Sequence, residues 1–231
     1  LSDASYEGIG GWSPCFQLMW RFTRADLLYF GFSLKPLQGR TGEPTSDGEG
    51  LHINPLEFIA CIVNLWILLK LAQTLPELTT GYIIDLLSDN TSALSWMSYT
   101  AATRDPRLQP LARFSSALLV QTHHFLMRVQ PKHIRGKIND EADALSRFQR
   151  GRFESWADVM LQCSHPRSCR ICLPPPELLF VLADLTSSRP IGGTYAEVTT
   201  HLLTLALDFL PHGSNLKVLR SSLLLPSTQS S

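Results

Sequence analysis

The stretch NPLEFIACIVNLWILLKLAQ, residues 54–73, decides the fold. Asn is a good N-cap and Pro is favoured in the first helical position, so Asn54-Pro55 predicts the opening of a helix that runs to about Gln73. Its apolar residues lie nearly all round, which predicts deep burial. The apolar run over 58–75 is interrupted by Asn64 and Lys70 and starts directly after Glu57. A membrane span needs about 20 nearly unbroken apolar residues, so this helix reads as a core element and no membrane is expected as a partner.

Working outward toward the N-terminus, residues 1–12 suit a strand entering a tight turn at Gly10-Gly11. The aromatic-rich runs 15–22 and 27–32 predict two more strands, with Arg24-Ala25-Asp26 as the hairpin turn between them. Residues 35–50 are rich in Gly, Pro, Ser and Thr without a hydrophobic period, the mark of a loop. On the other side, 81–88 is an apolar run of strand length broken by Asp85 and ending at Ser88-Asp89-Asn90, and 91–97 reads as a short helix. Leu108, Leu111, Phe114 and Leu118 recur at helical spacing within 106–123, while 125–134 alternates as a strand does. The segment 139–148 predicts a short helix with acids in its first turn and Arg147 in its last, as the helix dipole favours.

This order of three strands, helix, strand, helices, strand and helix predicts a mixed α/β domain over 1–150. Residues 151–231 differ in character: a Cys/His-bearing segment, then Pro174-Pro175-Pro176, a helix over 177–185 and an amphipathic stretch over 195–210. They predict a linker and a helical C-terminal extension.

Twenty basic and twenty acidic residues leave no net charge, which excludes the polybasic class that binds phosphate by charge alone. Any nucleic-acid role must then rest on a local site. Five cysteines, an odd number, with no secretory signal at the start predict a reducing, intracellular compartment, cytoplasm or nucleus.

Four acids fall where chemistry can gather them. Asp3 lies in the first strand, Glu57 in the first turn of the apolar helix, Asp89 at the C-terminal end of the 81–88 strand, and Asp143 on the last short helix. In α/β sheets such strand ends and helix starts share one crevice. Acids in apolar segments are costly unless paired or bound to metal. Oxygen-only ligation favours Mg²⁺ or Mn²⁺ over Zn²⁺.

Asp3-Ala4-Ser5 with Gly8, Gly10-Gly11 and Trp12, then Pro55-Leu56-Glu57, then Ser88-Asp89-Asn90-Thr91 with Ala93, then Gly136, Asn139 and Ala142-Asp143-Ala144-Leu145-Ser146-Arg147 follow one another in order. Over 1–150 this series resembles the RNase H domain of retroelement polyproteins. The closing N-x-x-A-D-A-L-S-R is similar to gypsy-type elements, and D-N-T-x-A to DIRS-like ones. The resemblance implies an RNase H-like mixed five-stranded sheet flanked by helices. It also implies two Mg²⁺ ions (or Mn²⁺) held by Asp3, Glu57, Asp89 and Asp143, and hydrolysis of the RNA strand of an RNA–DNA hybrid beside the reverse transcriptase domain of the same polyprotein. Ser5, Asn90, Arg135, Lys137 and Asn139 are the expected substrate contacts. The alternative within the same resemblance is a catalytically silent module that binds nucleic acid or supports the adjacent reverse transcriptase.

The chain departs from cellular members of that family in two places. Only Gly136-Lys137-Ile138 separates Arg135 from Asn139, where those enzymes carry a His-bearing loop, and the first strand begins only two residues before Asp3, as either an N-terminal truncation or a degenerate copy would leave it. Asp85 and Asp140 compete for the metal role, the first being set back from the strand end and the second explained by the helix dipole. Cys163, His165, Cys169 and Cys172 suit zinc by ligand type, but the short Cys163-to-His165 spacing favours free thiols. Arg128, Lys132, Arg135, Lys137, Arg147, Arg150 and Arg152 form a local basic excess placed to meet phosphate. Trp12, Trp20 and Trp96 read as core.

Overall fold

The computed structural model describes residues 1–38, 43–44, 50–74, 81–98, 105, 108–147, 170–172 and 174–187. Strands β1 (Ser2–Ser5), β2 (Gly8–Ser13) and β3 (Leu18–Thr23) pair antiparallel in sequence order. The turn between β2 and β3 carries Gln17 at φ +51°, and the Gln17 amide donates to the Pro14 carbonyl. Thus the strand and hairpin turn expected over 24–32 are not there; α1 (Arg24–Tyr29) is. Thr23 and Asp26 decide this by closing a capping box, in which the Asp26 amide donates to Thr23 Oγ1 and the Thr23 amide donates to Asp26 Oδ2. These bonds satisfy orphan amides that a hairpin would have to satisfy elsewhere. Within the expected loop, β4 (Leu37–Gln38) and β5 (Glu43–Pro44) form a short antiparallel pair.

Helix α2 (Ile53–Thr74) is the predicted core helix, and Phe58, Ile59, Ile62, Leu65 and Leu69 on it are fully buried. It has the length and apolar character to cross a membrane, with a mean hydropathy of 1.8, and 94% of that stretch is covered by the rest of the fold. Both polar interruptions have partners. Asn64 accepts from Trp20 Nε1 at 2.7 Å and donates to the Leu1 carbonyl at 2.7 Å, tying α2 to the antiparallel strands. Lys70 donates to Gln73 at 3.2 Å and lies 5.5 Å from the centre of the Trp66 ring, so its stem is covered while its charge is met.

The chain continues with β6 (Ile83–Ser88), α3 (Thr91–Ser98), α4 (Gln109–His124), β7 (Arg128–His133), one 3₁₀ turn (Gly136–Ile138) and α5 (Asp140–Ser146). Helix α2 packs against β1, β2, β6, α3 and α4. Strands β6 and β7 pair in parallel from Ile83↔Arg128 to Ser88↔His133. The class is therefore mixed α/β with antiparallel and parallel strands flanked by helices. The single five-stranded sheet is not formed as one ladder: β1 and β6 approach each other without pairing. A cavity lined mainly by apolar side chains, among them Leu1, Trp12, Leu18, Ile84 and Leu86, lies between the two groups of strands.

Among the described residues, two elements follow residue 150. Strand β8 (Arg170–Ile171) joins the free edge of β3 in parallel, and α6 (Pro176–Thr186) packs on α4. Leu178, Leu179 and Leu182 are fully buried in the same core cluster as α2. What is described of 151–231 therefore shares one core with 1–150. Of the candidate zinc ligands, Cys163, His165 and Cys169 lie outside the described residues, as do the 195–210 stretch, Arg150 and Arg152; Cys172 is half-buried and a free thiol.

Leu182→Ala should lower stability by about 2–5 kcal/mol, the usual range for emptying a fully packed leucine site. The loss should move one cooperative denaturant transition; an unmoved main transition, with a separate minor one shifted, would show that α6 stands outside the core.

Candidate metal centre

Three acids are delivered to one place by three different elements. Strand β1 carries Asp3 and the first turns of α2 carry Glu57, each only 4% exposed, while Asp89 follows the last residue of β6 and is half-buried. One carboxylate oxygen from each lies within 4.8 Å of the others. Glu57 accepts from the Ala4 backbone amide, and its Oε2 is buried without a hydrogen-bond partner.

At that spacing two unit charges repel by about 3 kcal/mol even at an effective dielectric of 20. Burial above all, then the charges of Asp143 and Asp89, push the Asp3 carboxyl up to about 7 against the lowering effect of the Ser146 hydroxyl. Burial, then Asp3, Asp89 and Asp143, push Glu57 up to about 9. Without a cation, then, the centre holds protons at neutral pH. Oxygen donors alone, closely spaced, with one buried oxygen left unpartnered, fit a hard divalent ion such as Mg²⁺ or Mn²⁺. Cys61 lies one turn beyond Glu57 but is no ligand: fully buried 3.4 Å from Ser2 Oγ, its thiol is pushed up to about 12 by burial.

The fourth predicted acid stands apart. Asp143 is close enough for its charge to act on Asp3 and Glu57, yet its carboxylate is half-exposed and accepts from Arg147 Nε one turn on. That bond raises the Arg147 guanidinium further. Asp85 pairs with Lys132 at 3.0 Å on the surface, and Asp140 is exposed at the start of α5.

The expected substrate contacts divide in two. Ser5 and Asn139 face inward: Ser5 Oγ donates to the Ser146 carbonyl at 2.7 Å, and Asn139 Nδ2 donates to the Ser2 carbonyl at 3.0 Å. Their polar groups tie α5 to β1, and both residues are buried. Asn90 accepts from the Ala93 amide at 3.0 Å, capping α3, and donates to Asn54 Oδ1 at 2.9 Å, linking the β6–α3 junction to the start of α2. In contrast, Arg135 and Lys137 are exposed on either side of Gly136. A Cβ on Gly136 would stand 2.9 Å from Asp89 Oδ2, so this basic turn lies against the acid.

Three contributors escaped the sequence reading. Asn54 lies inside α2, which opens at Ile53, and is the partner of Asn90 instead of the expected N-cap; Gly10 admits α5 to the sheet, and Ser146 donates to Asp3 Oδ2 at 2.5 Å. Only Ser146 left a legible trace, lying three residues after Asp143 and hence on the same helical face. Compared with known proteins, the chain matches no family model, no curated protein and no solved structure.

The unfolded chain releases these two protons near 3.8 and 4.5, the folded protein near 7 and 9. The folded state therefore binds more protons between those limits, and the metal-free protein should lose stability as pH rises from about 4 to about 9. Thermal unfolding in EDTA should show this fall, flattened in Asp3→Asn, and Mg²⁺ or Mn²⁺ should raise the midpoint more at about pH 8 than at about pH 5. A pH-independent midpoint would contradict the buried like-charge cluster.

Proposed function

We propose that the chain is an RNase H-like, metal-dependent endonuclease that hydrolyses the RNA strand of RNA–DNA hybrids, within a retroelement polyprotein that also carries a reverse transcriptase. The observation that carries this reading is the convergence of Asp3, Glu57 and Asp89 from β1, α2 and the end of β6, their ligand atoms within 4.8 Å of one another, with Asp143 on the adjoining α5. The strand arrangement supports it too. An antiparallel β1–β3 meander lies beside a parallel β6–β7 pair, the set an RNase H-like five-stranded sheet would use if β1 and β6 were joined.

When bound, two divalent ions supply an activated water and stabilise the leaving oxygen at a scissile phosphate. Asp3, Glu57 and Asp89 would hold the ions, and Asp143 on the adjoining α5, paired with Arg147, would be the fourth carboxylate of the set. Arg135 and Lys137, exposed beside Asp89, meet the phosphates that flank the scissile one. The 2′-hydroxyl and the hybrid's A-like shape, rather than base identity, select the RNA strand.

A second reading has its own observation. Arg147 occupies the Asp143 carboxylate, and only three of the four acids stand together among the described residues. This favours a silent module that binds nucleic acid or supports its neighbouring polymerase.

Incubation with a labelled RNA–DNA hybrid decides between them. The parent protein should cut the RNA strand with Mg²⁺ or Mn²⁺, leave duplex DNA intact and stop in EDTA, while Asp89→Asn should fall to background. Hybrid binding without cleavage under any metal would establish the silent module, and cleavage by Asp89→Asn would displace the site.

A further inference from the structure

We propose that Ser146 is a positioning residue that fixes the Asp3 carboxylate for metal binding, an inference that rests on the reading of Asp3, Glu57 and Asp89 as ligands. The Ser146 side chain is fully buried, and its hydroxyl lies 2.5 Å from Asp3 Oδ2 and 3.0 Å from the Asp143 carbonyl. A serine near the end of a helix ordinarily donates to the carbonyl three or four residues back. Here the closer acceptor is a carboxylate 143 residues away in sequence. One hydroxyl hydrogen thus joins the turn bearing Asp143 to the strand bearing Asp3.

The packing around this contact has one steric condition. Asp3 pairs with Gly10 across β1 and β2, and a Cβ on Gly10 would stand 2.5 Å from Leu145 Cβ and 3.1 Å from the Ser146 amide. The missing side chain is the space into which the last turn of α5 settles. Two further bonds hold that helix in place, from Ser5 to the Ser146 carbonyl and from Asn139 to the Ser2 carbonyl. Ser146 therefore reaches Asp3 from a fixed support. Carboxylates that ligate a metal are themselves hydrogen-bonded, and those outer donors orient them toward the ion.

Calorimetric titration of the full chain with Mn²⁺ tests the assignment on the parent, Ser146→Ala, Ser146→Val and Ser146→Thr. Loss of such a support typically weakens metal binding about 10–100-fold, and that loss is expected for Ala and Val. Thr shares the branched shape of Val and restores the hydroxyl, so it should recover most of the affinity lost in Val; a purely space-filling role would leave Thr and Val alike. Gly10→Ala, which keeps the hydroxyl but lifts α5, should also weaken binding. Thermal unfolding in EDTA verifies folding, and if Ser146→Ala does not fold, the Thr and Val pair decides. Parental affinity in Ser146→Ala, or Thr no better than Val, overturns the role of Ser146 alone. A parent protein that binds no Mn²⁺ overturns the metal centre itself and this inference with it.

Discussion

Burying carboxylates beside one another is the constraint around which the rest of this fold is arranged. Asp3 and Glu57 are almost without solvent contact, and Asp89 stands close to both. Repulsion and desolvation act in the same direction, holding protons on groups that are ionised in the unfolded chain. The surrounding structure has to supply enough favourable packing to tolerate that. Helix α2 does so: immediately after Glu57 it buries Phe58, Ile59, Ala60, Cys61, Ile62 and Val63 completely. Apolar burial of this extent, at about 25 cal/mol per Å², is the main favourable contribution available to offset a strained polar site.

The polar contacts that bring the acids together are few and specific. Helix α5 is held across β1 at both ends, by Asn139 on Ser2 and by the paired contacts of Ser5, Ser146 and Asp3. The Asn90–Asn54 bond does the same for the junction that carries Asp89 and the turn that carries Glu57. Each links elements far apart in sequence, so each makes the geometry of the centre a property of the whole fold. Loss of one such link leaves a buried polar group without its partner, which costs more than the bond itself contributes.

Legibility in the sequence followed the range of the physics involved. Helix α2, β6, α4 and α5 were readable because periodicity and dipole-favoured charges act within a few residues. The 24–32 segment was misread because its aromatic content suits strands, while the deciding pair, Thr23 and Asp26, works through backbone amides and carries no hydrophobic signal. The division of the strands was not readable at all, since whether β1 pairs with β6 depends on contacts between elements far apart in sequence. Residues after 150 read as an extension because prolines and cysteines dominate there, yet α6 buries its leucines in the common core.

By itself, the sequence determined the mixed α/β class, the buried helix at its centre and the four acids in order, because composition and local period dictate which segments must be covered and where charge interrupts them. The tertiary structure decided which of those acids meet. Asp3, Glu57 and Asp89 share a site, while Asp143 turns to Arg147, and Ser5 and Asn139 face inward. The physical reason is that a side chain's partner is chosen by distances across packed elements, and those distances depend on contacts such as Gly10 against Leu145 that are separated by more than a hundred residues of chain.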